Sequence, residues 1–200
     1  MRYAETQKER TRRRLLDRGA RHAKKHGFNG SGMDALAGAA GVTTGALYKH
    51  FSGKSELLVG IVATELARTA HLFSSLPKGD CEAIGKVLAA YLSDHHVEHP
   101  ETGCVLPSLT PEVARADRPT RVAFERGVHD VHEALRGHVA GGSDNAWALI
   151  ALCVGAVMMA RALPGEAART ALLQAARQAA GTLLQDGGGA AASRRAATPR

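Results

Sequence analysis

Apolar residues in this 200-residue chain recur three and four positions apart in segment after segment, and no stretch alternates with a period of two. Phe124, Val128, Val131 and Leu135 are spaced 4, 3 and 4 apart. Leu57, Leu58, Ile61, Val62, Leu66 and Leu72 form a second stripe, and Leu172, Leu173, Ala176, Ala180, Leu183 and Leu184 a third. Such spacing gives a helix one apolar face, whereas a half-buried strand needs every second side chain apolar. The chain therefore reads as all-α, with about nine helices punctuated by Gly and Pro. At 44% hydrophobic residues it can bury a core.

The first helix is expected over residues 5–26, with Leu15, Leu16, Gly19, Ala20 and Ala23 on one side and a stop at Gly27. Ser31-Gly32 precedes a short second helix carrying Met33, Leu36, Ala37 and Ala40, which Gly41 ends; a third follows over residues 44–50. Two short helices joined by a glycine-containing turn form a helix-turn-helix. After the Ser52-Gly53 break, Glu56 stands where a capping-box acid would meet Gly53 as N-cap, opening a long helix over 54–75. Residues 81–98 read as one helix and 103–111 as a broken, apolar connector containing short helical turns; helices then cover 119–139, 146–160 and 165–185. The Gly-, Ala- and Arg-rich end, 186–200, reads as a disordered tail. The expected division is a reader domain over 1–53 and a larger body over 54–185.

Charge is divided in the same way. Residues 1–54 hold 12 basic and 4 acidic side chains, or +8, and residues 55–200 hold 14 and 15, or −1. A basic segment on a near-neutral body is the footprint of a polyanion reader, because each cation set on a phosphate releases counterions. Met1-Arg2-Tyr3 leads into charged residues with no secretory signal, and the apolar run 146–160 reads as too short to cross a bilayer comfortably. Cys81, Cys104 and Cys153 are odd in number and scattered, as in a reduced, cytoplasmic chain.

The segment Gly41-Val42-Thr43-Thr44-Gly45-Ala46-Leu47-Tyr48-Lys49-His50-Phe51 has a physical reading of its own. Leu47 and Phe51, four apart, share a face and should pack on Leu36, Ala37 and Ala40. Tyr48, Lys49 and His50 then point outward toward phosphates or base edges. Gly45 lets backbone approach DNA closely, and Thr43 and Thr44 offer hydroxyls and a cap at the helix N-terminus.

With Lys54 and Leu57 added, this segment resembles the recognition element of the tetracycline-repressor (TetR) family. The resemblance covers residues 10–75, and Gly103-Cys104-Val105-Leu106 with Glu112-Val113-Ala114-Arg115 resembles the middle of one subgroup's ligand domain. It implies an N-terminal helix-turn-helix, DNA contacts at Tyr48, Lys49, His50 and Lys54, and a helical body that binds an inducer and pairs two subunits through its last two long helices. The partners it implies are double-stranded operator DNA and a small-molecule inducer, with no membrane. Two departures stand out. The family usually has a large apolar pair where this chain has His22-Ala23, and Ser or Thr where it has Gly32; Ser31 is expected to take over that cap and is counted among the DNA-facing residues.

Tyr91, His95, Cys104, Phe124, Val128 and Trp147 are the ligand-pocket candidates, being large or polar side chains on segments expected to face the interior, and they favour an apolar or aromatic molecule. His95, His99 and Cys104 raise a metal-responsive alternative, though no metal site or cofactor is expected. No nucleophile elbow, zinc-protease motif, P-loop or dinucleotide fingerprint occurs, so no enzyme activity is expected.

Overall fold

A computed structural model describes residues 6–77 and 80–185. Among them there is no strand, and there are ten helices: α1 (Gln7–His26), α2 (Met33–Ala39), α3 (Thr44–Tyr48), α4 (Lys54–Ser74), α5 (Cys81–Tyr91), α6 (Asp94–Glu98), α7 (Val105–Val113), α8 (Arg118–Arg136), α9 (Ser143–Ala162) and α10 (Glu166–Gln185). The tail expected over 186–200 lies outside the described residues.

Helix ends follow local chemistry, including some that the sequence reading missed. Thr6 and Glu9 make a capping box at the start of α1, and Gly27 ends it at a φ of +80° that only glycine adopts freely. The helix expected over 81–98 is two helices. Ser93 Oγ accepts the His96 N–H at 3.3 Å and so caps a new helix. The carbonyls freed by the break are used: Leu92 O accepts Arg177 Nε at 2.8 Å, and Tyr91 O lies 2.6 Å from His96 Nδ1. The connector expected over 103–111 is instead mostly α7. Cys104 caps it, with Sγ accepting the Leu106 N–H at 3.4 Å, and Pro107 falls in the first turn, where its missing N–H costs nothing.

Backbone contacts divide the chain into two compact units, Met1–Thr69 with His99–His129 and Ala70–Glu98 with Asp130–Arg200. This is not the expected division at residue 53, because α7 and much of α8 join α1–α3. In the first unit α1 packs on α2 and α7. Its buried stripe is Leu15, Gly19, Ala20 and Ala23, continued by Lys24, whose Nζ donates to Glu65 Oε2 at 2.6 Å and Gly103 O at 2.7 Å. That ion pair anchors the end of α1, where His22-Ala23 supplies little apolar bulk. Small residues bring α1 and α4 together: a Cβ on Gly60 would stand 2.8 Å from Leu16 Cδ2, and one on Gly19 would stand 3.4 Å from Ile61 Cδ1.

In the second unit α9 packs on α10, α5 on α10 and α6 on α9, with Val97, Ala160 and Leu173 in one buried cluster. Arg161 reaches the carbonyls of Val97 and His96 at 3.3 and 3.0 Å, and Arg169 pairs with Asp94 at 3.0 Å and Glu98 at 3.2 Å. Leu72 is exposed and Phe73 is buried in its place, its carbonyl 3.0 Å from His138 Nε2. The expectation that the apolar run was too short for a membrane is corrected for length. At 20 residues α9, like α4, is long and apolar enough to cross one by length and composition. Within the second unit its buried side is Ala146, Leu149, Cys153, Ala156, Val157 and Ala160.

Gly127 on α8 offers a test of this packing. A Cβ there would lie 2.6 Å from Leu66 Cδ1 and 2.7 Å from Leu66 Cβ, whereas one on Gly85 in α5 would meet nothing within 4 Å. Gly127→Ala should therefore cost about 1–3 kcal/mol despite its gain in helix propensity, and Gly85→Ala should be neutral or stabilise by up to about 1 kcal/mol. Urea denaturation midpoints check the order, and a Gly127→Ala variant as stable as Gly85→Ala would contradict the contact.

Candidate nucleic-acid interface

The helix-turn-helix closes on α3, which has only five residues. Gly41, at φ +66°, turns the chain out of α2, and the Val42 N–H reaches back to Ala37 O at 3.1 Å. Thr43 caps α3, its hydroxyl accepting the Ala46 N–H at 3.2 Å. The Thr44 hydroxyl donates to the Asp34 carboxylate at the start of α2, tying the two helices together. Leu47 and Phe51 are fully buried, as are Leu36, Ala37 and Ala40, and α3 packs on α2. At the far end Arg12 Nη1 donates to His50 O at 2.8 Å, with its guanidinium 4.3 Å from the centre of the Phe51 ring.

The outward face carries what the backing leaves over. Tyr48 is 52% exposed, so its ring does not cap the core; Lys49 is exposed, and Gly45 is exposed with open space around its Cα. His50 is half-buried and held below its usual 6.5, first by burial and then by the charges of Lys8 and Arg12. It is therefore mostly neutral at pH 7 and offers a hydrogen bond more than a charge. Lys54 opens α4 with Nζ donating to Asn29 O at 2.9 Å, 5.2 Å from the Phe28 ring centre.

Two expectations at this face are corrected. Ser31 does not cap α2, whose N-cap is Gly32 with no side-chain bond. Its buried hydroxyl donates to Gly27 O at 2.6 Å, which makes it part of the turn and not of the outward face. Glu56 meets Ser52 and not Gly53: its Oε2 accepts both the Ser52 N–H and hydroxyl at 2.7 Å. Sequence reasoning missed Arg12, Asp34 and Glu112. Glu112 accepts the N–H of Phe28 at 2.9 Å and of Asn29 at 2.6 Å across more than eighty residues of chain.

The ligand candidates fall in both units. Cys104, Phe124 and Val128 are half-buried in the first; Tyr91 is half-buried in the second, its ring edge-on to His96 at 4.4 Å. His95 is exposed, and so is Trp147, which stacks on the His132 ring at 4.4 Å and does not turn into an interior. No group of three or more His, Cys, Asp or Glu among the described residues is placed to hold a metal ion; of the metal candidates, His95 lies in the second unit and His99 and Cys104 in the first.

Residues 15–61 match the family model described as "Bacterial regulatory proteins, tetR family". A 56-residue stretch is 39% identical to the HTH-type transcriptional regulator SrpR of Pseudomonas putida, a match spanning 28% of this chain and about a quarter (26%) of that protein. Similarity of fold extends further. Reduced NemR of E. coli superposes with a TM-score of 0.70 over 87% of this chain and 97% of its own, at 23% identity. A TetR transcriptional regulator from Chloroflexus aurantiacus gives 0.68 over 90% and 96%, at 20% identity. Salmonella enterica GusR gives 0.64 over 90% and 98%, at 18%.

The Ser52–Glu56 contact makes a pH prediction. Both bonds from Ser52 hold the Glu56 carboxyl below its ordinary 4.5. A depressed carboxyl contributes stability that is present above that ordinary value and lost as pH falls through the folded value. Glu56→Gln should therefore destabilise the protein at pH 7 and much less at about pH 3. Thermal melts at both pH values check this, and an equal difference at the two would contradict the assignment.

Proposed function

We propose that the chain is a member of the TetR family of bacterial regulatory proteins and a sequence-specific DNA-binding transcriptional repressor released from its operator by a small molecule. The observation that carries the reading is the contrast along α3: Leu47 is 0% exposed and its neighbour Tyr48 52%. Backing residues fill the core, and Gly45, Tyr48 and Lys49 remain for a duplex. All of the chain's excess positive charge lies in the same 54 residues, which suits the phosphate backbone. Thr43 and Thr44 serve this face by fixing the start of α3, and His50 and Lys54 flank it.

We further propose that the protein acts as a homodimer paired through α9 and α10. Trp147, Ala148, Ala151 and Met159 on α9, and Ala167, Ala171, Ala175 and Ala179 on α10, are exposed in the single chain. Small and apolar side chains on long helices suit burial against a second copy, and a twofold pair presents two readers to a palindrome. For the inducer, an apolar or aromatic molecule, the half-buried Cys104, Phe124 and Val128 of the first unit are retained as candidates; Trp147 belongs to the exposed face. A repressor acts where its DNA lies, in the cytoplasm.

Binding should be steeply salt-dependent, falling by orders of magnitude between about 50 and 200 mM salt. Tyr48→Ala with Lys49→Ala should abolish it while leaving helicity and dimerisation intact, because both side chains project away from the core. Gel shifts on the DNA upstream of the chain's own coding sequence, with circular dichroism as control, check both. A double variant that binds like the parent would rule out α3 as the reader.

A further inference from the structure

We propose that Glu112, on α7, is a positioning residue for DNA binding, holding Lys54 in place through the turn between α1 and α2. The inference rests on the reading of the protein as a DNA-binding regulator.

The geometry runs through three groups of the first unit. Glu112 Oε1 and Oε2 accept the adjacent Phe28 and Asn29 N–H groups at 2.9 and 2.6 Å. The carbonyl of the same Asn29 accepts Lys54 Nζ at 2.9 Å. Asn29 is thus gripped on its N–H side by α7 and grips the first residue of α4 on its carbonyl side. A second carboxylate, Asp117, stands just beyond α7. It accepts the Ser55 hydroxyl and, through Oδ1, the Thr120 N–H at 3.0 Å. Lys54 and Ser55, consecutive at the start of α4, are thus held from two sides, Lys54 from α7 by way of Asn29 and Glu112, and Ser55 from the start of α8 through Asp117.

The chemistry makes the link sensitive. Phe28 is buried, and a buried N–H left unpaired is costly, so the turn keeps its shape only while the carboxylate is in reach. A shift of α7 by about 1 Å would carry both contacts beyond ordinary hydrogen-bond range. Whatever moves α7 therefore reaches the Lys54 ammonium group. An amide does not replace the carboxylate, since Gln at 112 has one acceptor oxygen for two donors and turns its NH2 toward the other.

The test is a double-mutant cycle read as DNA affinity. Glu112→Gln alone should weaken binding about tenfold, and in a Lys54→Ala background it should have almost no further effect, since the lysine it positions is gone. Amide hydrogen exchange should show Phe28 and Asn29 losing protection in Glu112→Gln, with global stability followed in parallel. If Glu112→Gln does not fold, Glu112→Asp, which keeps two acceptor oxygens on a shorter arm, serves in its place and should likewise lose its effect once Lys54 is alanine. A merely structural Glu112 would weaken binding by the same factor in both backgrounds, and that result overturns the inference while leaving the DNA-binding reading intact. A parent protein that binds no DNA at all overturns both.

Discussion

A helix of five residues has no stability of its own, because nucleating a helix costs more than a single turn of hydrogen bonds returns. Burial of Leu47 and Phe51 is therefore the interaction on which the reader depends. Fully burying two such side chains is worth about 1.5–3 kcal/mol each. Around them the short helix is held at both ends: Thr43 caps its start, Thr44 ties it to Asp34, and Arg12 holds the carbonyl of His50 at its finish. A helix fixed in this way can give its whole outer face to a ligand, since no residue there is needed for packing.

The backing of α3 leads outward through the first unit. Phe51 lies beside Gly60 of α4, which approaches Leu16 of α1 closely because it has no side chain. Lys24 of α1 is buried with Glu65 of α4 and the carbonyl of Gly103 just before α7. Breaking one partner of such a buried pair costs far more than the pair contributes, so it fixes one arrangement of helices more than it adds stability. Glu112 and Asp117 complete the set from the other end of α7. The reader is consequently one packed body with α7 and the first part of α8, and not a detachable module ending at residue 53.

Much of this could be read from periodicity. The burial of Leu47 and Phe51, the outward Tyr48 and Lys49, and the stripes of α4, α8 and α10 follow from spacing alone, because packing on one face repeats along the chain. What escaped has another physical origin. The break after Tyr91 is made by a serine hydroxyl competing with the helix for one N–H, and such competition leaves no periodic trace. Ser31 looked like a cap because serine commonly is one, yet its hydroxyl turns back to Gly27. Trp147 looked like an interior residue because of its size, although one face of α9 is left open in the single chain. Glu112 finds partners more than eighty residues away, where no local pattern can point to them.

If α3, presented in pairs, reads a DNA sequence, then the purified protein should select preferred sites from a random pool of duplexes. The expected result is enrichment of a palindrome whose half-sites lie about one helical turn apart or a simple multiple of it, with protection from hydroxyl radicals confined to one face of the duplex. A pool that shows no enriched sequence, or binding that ignores sequence altogether, would contradict it.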